Sequence, residues 1–181
     1  LPVEAASELA NFPPVMRQIL FSRGYHTKAE ADRFLEAVPP QGVGPFNLLG
    51  MAQSVDRVRY AIQHREPIAI YGDYDADGVT ATALLTLVLE SLGAQVTGYI
   101  PNRFDEGYGL NNDALDTLKE AGTRLVITVD CGVRSPAEAE HARKIGLDLI
   151  ITDHPQPAHD LPDALAVINT KQAGDTYPDK D

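Results

Sequence analysis

With 181 residues, 44% of them hydrophobic and 23% charged, the chain has the make-up of one ordinary globular domain with its own core. A formal net charge of −11 argues against a broad nucleic-acid-binding face, although nucleic acid held through metal ions stays open. The one cysteine, Cys131, excludes an internal disulfide framework and suits a reducing, cytoplasmic setting, and no apolar run is long enough to span a membrane.

No signal peptide opens the chain, and its ends, Leu1 and the polar DTYPDKD, read as cuts in a longer protein. Residues 1–65 form an N-terminal helical segment expected to pack on the core. Pro13 and Pro14 open a helix through VMRQILFSR that stops at Gly24. Thr27 and Glu30 form a capping-box pattern ahead of AEADRFLEAV. A loop rich in proline and glycine follows, then a helix from about Gly50 to His64, with Met51, Val55, Val58, Tyr60 and Ile62 as its apolar positions. His26 and His64 read as surface residues.

From Pro67 the rhythm changes. Ile68–Tyr71 is a buried strand, followed by Asp73, Asp75 and Asp77 at alternate positions, Gly78, and an apolar helix from Val79 to Gly93. Three carboxylates this close repel unless a cation neutralises them, so a divalent metal site is the economical reading. An EF-hand loop starting at Asp73 would need Glu at its twelfth position, which is Leu84, and would follow a helix instead of a strand. A dehalogenase-like loop, with Asp75 as nucleophile and Asp77 as acid/base, and a merely solvated acidic turn stay open at this point.

Gln95–Ile100 is the second strand and Asn112–Glu120 a helix closed by Gly122. Arg124–Val129 is the third strand. Ser135, Pro136 and Glu138 suggest a capping box for a helix ending near Gly146. Asp148–Thr152 and Leu165–Ile168 are the last two strands. Strands alternating with helices of this length predict an α/β fold: a doubly wound, mainly parallel five-stranded sheet with helices on both faces, occupying residues 66–181. His141 is expected to face solvent, and His159 sits in a proline-rich loop.

In a parallel sheet the strand ends share one edge, where ligands bind. That edge collects Asp73, Asp75 and Asp77 from the first strand, Asp130 from the third, and Asp153 with His154 from the fourth. The second strand runs into Asn102 and Arg103. Carboxylates with one imidazole suit Mn²⁺ or Mg²⁺. A two-metal site of this kind serves phosphoester hydrolysis. Arg103 has the fork that matches a phosphate, and Gly107 and Gly109 beside Tyr108 let backbone amides approach an anion. No GxGxxG fingerprint or GK[ST] loop is present, and Cys131 has no histidine partner nearby in sequence, so it reads as a small residue packed under the site.

These stretches, GDYDADGVTATALL, PNRFDEGYGL, TVDCGV and ITDH, resemble the DHH phosphoesterase family in order and spacing across residues from about 67 to 169. NRFDEGYGL is similar to the family's single-strand-specific 5′→3′ DNA exonucleases. The resemblance implies that Asp75 and Asp130 hold one metal and that Asp77, Asp130 and His154 hold the other, Asp130 bridging. It also implies supporting roles for Asp73 and Asp153 and a substrate-phosphate site at Arg103, with Asn102, Gly107 and Tyr108 around it. Single-stranded DNA, through the metals and downstream domains absent here, and repair proteins are the implied partners, in repair and recombination.

The chain departs from the family at Pro155, where a second histidine is expected, and at Tyr71, where some relatives carry another. Proline offers neither a side-chain donor nor a backbone N–H, and losing one contact to a reacting phosphate commonly costs on the order of a hundredfold in rate. A further metal-binding Asp of the family lies beyond this chain, so the chain as given is expected to be inactive or weak. The alternatives are a non-catalytic DHH binding module and a DHH phosphodiesterase acting on short oligonucleotides.

Overall fold

The computed structural model describes residues 1–37, 42–102, 109–178 and 180, which fall into two compact units, Leu1–Gly42 and Val43–Asp181. The first unit contains α1 (Val3–Glu8), α2 (Pro14–Ser22) and α3 (Lys28–Leu35). Its core is small: Leu9, Leu20 and Ala31, surrounded by Phe12, Met16, Phe21 and Tyr25. The capping box at α3 is formed. Thr27 Oγ1 accepts from the Glu30 amide, and Glu30 Oε2 accepts from the Thr27 amide. The sequence has no strong start signal for α1, and its N-cap, Pro2, makes no side-chain cap bond.

The second unit opens with a 3₁₀ turn, Pro45–Asn47, and continues as α4 (Met51–His64), β1 (Ile68–Tyr71), α5 (Ala76–Ser91), β2 (Val96–Tyr99), α6 (Asn112–Glu120), β3 (Leu125–Val129), α7 (Pro136–Lys144), β4 (Asp148–Thr152) and β5 (Ala166–Ile168). The strands form a five-stranded sheet in the order β2-β1-β3-β4-β5, and every described pairing is parallel. The compact units divide after Gly42, whereas the sequence places the division at residue 65. The reason is α4: Val58, Ala61 and Ile62 share a core with Ile68 and Ile70 of β1.

Alternation along each strand sends side chains to two different cores. Ala69, Tyr71, Val126, Leu149 and Ile151 pack with α6 and α7 residues such as Leu115 and Ala142. Ile68, Ile70, Leu125, Ile127 and Ile150 face the other way, against Leu89 of α5 and Ala61 of α4. The central strands are therefore apolar on both faces, which explains their unbroken hydrophobic runs. Burying such side chains contributes about 1.5–3 kcal/mol each, so the sheet is the stable frame on which the loops are mounted.

Register decides where those loops emerge. Tyr71 pairs with Thr128, Thr128 with Ile151, and Thr152 with Ile168. The residues that follow β1, β3, β4 and β5 therefore leave the sheet at one level of one edge.

Three local features differ from the sequence reading. Helix α5 begins at Ala76, not Val79, because the Asp75 side chain caps it, and this places Asp77 in the first helical turn. Ser135 makes no side-chain cap bond at α7, where Pro136 occupies the first position instead. His141 does not point freely to solvent: its Nε2 lies 2.7 Å from Asp116 Oδ1 and ties α7 to α6. No described helix is long and apolar enough to cross a membrane.

Candidate metal centre

The site is built from the turns after β1, β3 and β4. After β1, two glycines allow α5 to start directly against the strand end. A Cβ on Gly72 would stand 1.9 Å from Thr82 Oγ1, and one on Gly78 would stand 2.5 Å from the Asp73 carbonyl oxygen. Neither position has room for a side chain. Thr82 Oγ1 donates to the Gly78 carbonyl at 2.7 Å and fixes this first turn. Asp73 is buried (3% exposed) and accepts from the Tyr74 amide at 2.7 Å. Asp75 is the N-cap of α5 and accepts from the Gly78 amide at 2.9 Å. One oxygen of Asp75 thus serves the helix, and the carboxylate is held at the positive end of the helix dipole.

After β3 the chain turns sharply. Asp130 has φ +60°, a left-handed conformation that costs about 1–2 kcal/mol for most L-residues and that Asp tolerates better. Its amide donates to the Thr152 carbonyl at 3.0 Å. The buried Thr128 hydroxyl donates to the Cys131 carbonyl at 2.7 Å and accepts from the Thr152 amide at 3.3 Å. Thr152 Oγ1 donates back to the Thr128 carbonyl at 2.7 Å. These bonds lock the β3 turn to β4, and strained backbone over-determined in this way is common at functional sites.

After β4, the Asp153 amide donates to the Ile168 carbonyl at 3.2 Å. The Asp153 side chain accepts from the Val133 amide at 3.0 Å and from the His154 amide at 2.9 Å. Both of its oxygens are engaged with backbone, so it braces the β3 and β4 turns. His154 Nε2 comes within 3.0 Å of Asp130 Oδ1, with the imidazole 73% exposed and the carboxylate 14% exposed.

Asp73, Asp75 and Asp130 each offer a carboxylate oxygen, and these atoms lie within 4.8 Å of one another. Burial raises the Asp130 pKa above the ordinary carboxylate value, the charge of Asp75 raises it further, and His154 partly offsets both. Asp77 adds to the same repulsion from the first turn of α5. Burial also raises Asp153, opposed by the amides of Val133 and His154. The cluster is therefore short of positive charge.

The structure groups Asp73, Asp75 and Asp130 and sets His154 against Asp130, while Asp77, in the first turn of α5, is not among the three clustered carboxylates. Asn102 is exposed at the start of the loop after β2. Arg103, Gly107 and Tyr108 lie outside the described residues. Cys131 is buried, with Sγ 3.7 Å from the Tyr71 carbonyl, and burial pushes its thiol pKa far up. It is a packing residue beneath the turn. The sequence reading did not single out Thr128 or Asn169. Asn169 was reachable by the strand-end rule, because it follows β5 as Asp130 follows β3.

The family described as "DHH family, N-terminal domain" matches residues 67–176. The chain belongs to the DHH family. It is 45% identical to the single-stranded-DNA-specific exonuclease RecJ of Bacillus subtilis, across 99% of this chain and 23% of that protein. It is 38% identical to the RecJ of Escherichia coli, across 98% of this chain and 30% of that one. Among solved structures, exonuclease RecJ bound to manganese matches with a TM-score of 0.67 at 35% identity, over 75% of this chain and 34% of that chain. RecJ of Thermus thermophilus in complex with Mn²⁺ matches with a TM-score of 0.65 at 29% identity, over 98% of this chain and 24% of that one. The chain thus spans about a quarter to a third of the length of these relatives.

Proposed function

We propose that this chain supplies the metal-binding part of a phosphodiester hydrolase of the RecJ type, which removes nucleotides from the 5′ end of single-stranded DNA. The observation that carries this reading is the carboxylate cluster at the sheet edge, with His154 against Asp130. The donor set is oxygen-rich with one imidazole nitrogen, which fits Mn²⁺ or Mg²⁺, and a cation would offset the burial and the neighbouring carboxylate charge that raise Asp130. Asp75, Asp77, Asp130 and His154 would hold the ions, with Asp73 beside them. When bound, such cations supply Lewis acidity toward a phosphodiester oxygen and toward water.

The chain's own groups have separate tasks in this reading. Asp130 links the two halves of the donor set through its place between Asp75 and His154. Asp153 orients the β3 and β4 turns and leaves the direct contacts to its neighbours. Arg103 would take a substrate phosphate in its guanidinium fork, with Asn102, Gly107 and Tyr108 lining the same loop. The setting would be cytoplasmic, in repair and recombination.

Pro155 favours a second reading, a DHH module that binds without cleaving. Proline cannot donate a proton or a hydrogen bond to a phosphate oxygen, so hydrolysis by this chain alone is expected to be weak. The test is Mn²⁺-dependent release of 5′-labelled nucleotides from single-stranded DNA by a full-length polypeptide carrying these residues, with and without Pro155→His. Activity that Asp130→Asn abolishes, and that Pro155→His raises about a hundredfold, supports the hydrolase. No activity in either form, with folding intact, supports the binding module.

A further inference from the structure

We infer that Asn169 is a positioning residue for His154, an assignment that deepens the metal-site reading and rests on it. Asn169 directly follows β5 and is 2% exposed. Its Nδ2 donates to the Pro155 carbonyl at 2.9 Å, and its Oδ1 accepts from the Lys171 amide at 2.7 Å. Buried amides are expected to be satisfied in this way, and here one of the two bonds reaches across to the loop that carries His154.

His154 needs such a tether. Its ring is 73% exposed, so no packing holds its orientation, and its one described side-chain contact is with Asp130. The ring's place is set by the backbone of residues 153–155. That backbone is pinned before the histidine by the Asp153 amide on the Ile168 carbonyl, at 3.2 Å. Asp153 Oδ1 holds the His154 amide itself at 2.9 Å. After the histidine, Pro155 has a fixed φ and no N–H, so its carbonyl is the group through which the backbone on that side can be held. Asn169 takes that carbonyl. The tether therefore closes the loop from both sides onto the end of β5, with Ile168 and Asn169 as adjacent anchor points.

The consequence is specific to His154. Removing the Asn169 amide leaves Asp73, Asp75 and Asp130 where the β1 and β3 turns hold them, and frees the imidazole from Asp130. Supporting residues of this kind typically alter metal affinity by about 10–100-fold.

The test combines a metal-free and a metal-loaded measurement on the 181-residue chain. In NMR spectra without metal, with His154 assigned by comparison with His154→Ala, Asn169→Ala should move the His154 ring signals toward those of free imidazole. The His26 and His64 signals should stay in place. Mn²⁺ titration should then show about a tenfold loss of affinity for Asn169→Ala, and a change of less than about twofold when the same substitution is made in His154→Ala. Asn169→Ser serves if the alanine form does not fold, since serine can still accept from the Lys171 amide but is too short to reach Pro155. An unmoved His154 ring, or an equal loss of affinity in both backgrounds, overturns the assignment. Absence of Mn²⁺ binding by the unsubstituted chain overturns the metal-site reading instead, and the ring signals still decide the role of Asn169.

Discussion

His154 Nε2 stands 3.0 Å from Asp130 Oδ1, joining the ends of β4 and β3 across the sheet edge. Asp130 lies between this imidazole and the Asp75 carboxylate, and burial together with Asp75 raises its pKa despite the histidine. An acid whose pKa is raised by folding favours the folded state below its unfolded pKa and loses that contribution as pH rises through the folded value. Metal-free Asp130→Asn should therefore be more stable than the unsubstituted chain at neutral pH, and the difference should shrink as pH falls into the carboxylate range. Urea melts at several pH values measure this. Asparagine also tolerates φ +60°, so the backbone turn is preserved.

Gly78 is the contact point between α5 and β1. An alanine there would put its Cβ 2.5 Å from the Asp73 carbonyl oxygen and 2.6 Å from the Asp73 amide nitrogen, backbone atoms that cannot step aside. Gly78→Ala should destabilise the chain by about 1–3 kcal/mol, the usual cost of overpacking, and should displace Asp73 from the cluster. Denaturant melts report the first effect, and Mn²⁺ titration the second.

Tyr71 is fully buried at the end of β1, and its hydroxyl is committed to the loop ahead of α6. It donates to the Gly109 carbonyl at 3.0 Å and accepts from Asn111 Nδ2 at 3.1 Å, while Asn111 caps α6 through the Ala114 amide. Tyr71→Phe should cost about 1–3 kcal/mol because it leaves buried polar groups without this partner. Thermal or urea unfolding checks the size of the loss.

Cys131 is buried, and its thiol is pushed far above the ordinary range by that burial and by the charge of Asp153. A thiol in this state is a poor nucleophile. In the native chain it should react with a disulfide reagent at mildly alkaline pH roughly a hundred times more slowly than in the urea-unfolded chain. Equal rates would show that the turn beneath the site is open.

The sheet was legible because the core strands are apolar on both faces. Ile68–Tyr71 and Asp148–Thr152 match their predicted bounds, and the convergence of strand ends followed from parallel pairing. What escaped the sequence depends on contacts between segments far apart in the chain. Helix α4 packs on the sheet as expected of the N-terminal segment, but its amphipathic pattern does not say that it belongs to the same compact unit as β1 while α1 to α3 form another. His141 reads as solvent-facing within AEAEHARK until Asp116 of α6 is placed beside it. The grouping of Asp73 with Asp75 was legible from their alternate spacing after β1, whereas the approach of Asp130 to both depends on the turn after β3. Asn169 follows β5 and was reachable by the strand-end rule, but it carries no charge to draw notice, and its bond to the Pro155 carbonyl at 2.9 Å shows only in the folded chain.

The carboxylates at the edge formed by β1, β3 and β4 make a divalent-cation site. Calorimetric titration of Mn²⁺ into the unsubstituted chain and into Asp130→Asn tests it most directly. Saturable binding is expected from the first protein and none from the second. Equal binding by both proteins, or binding by neither, would contradict it.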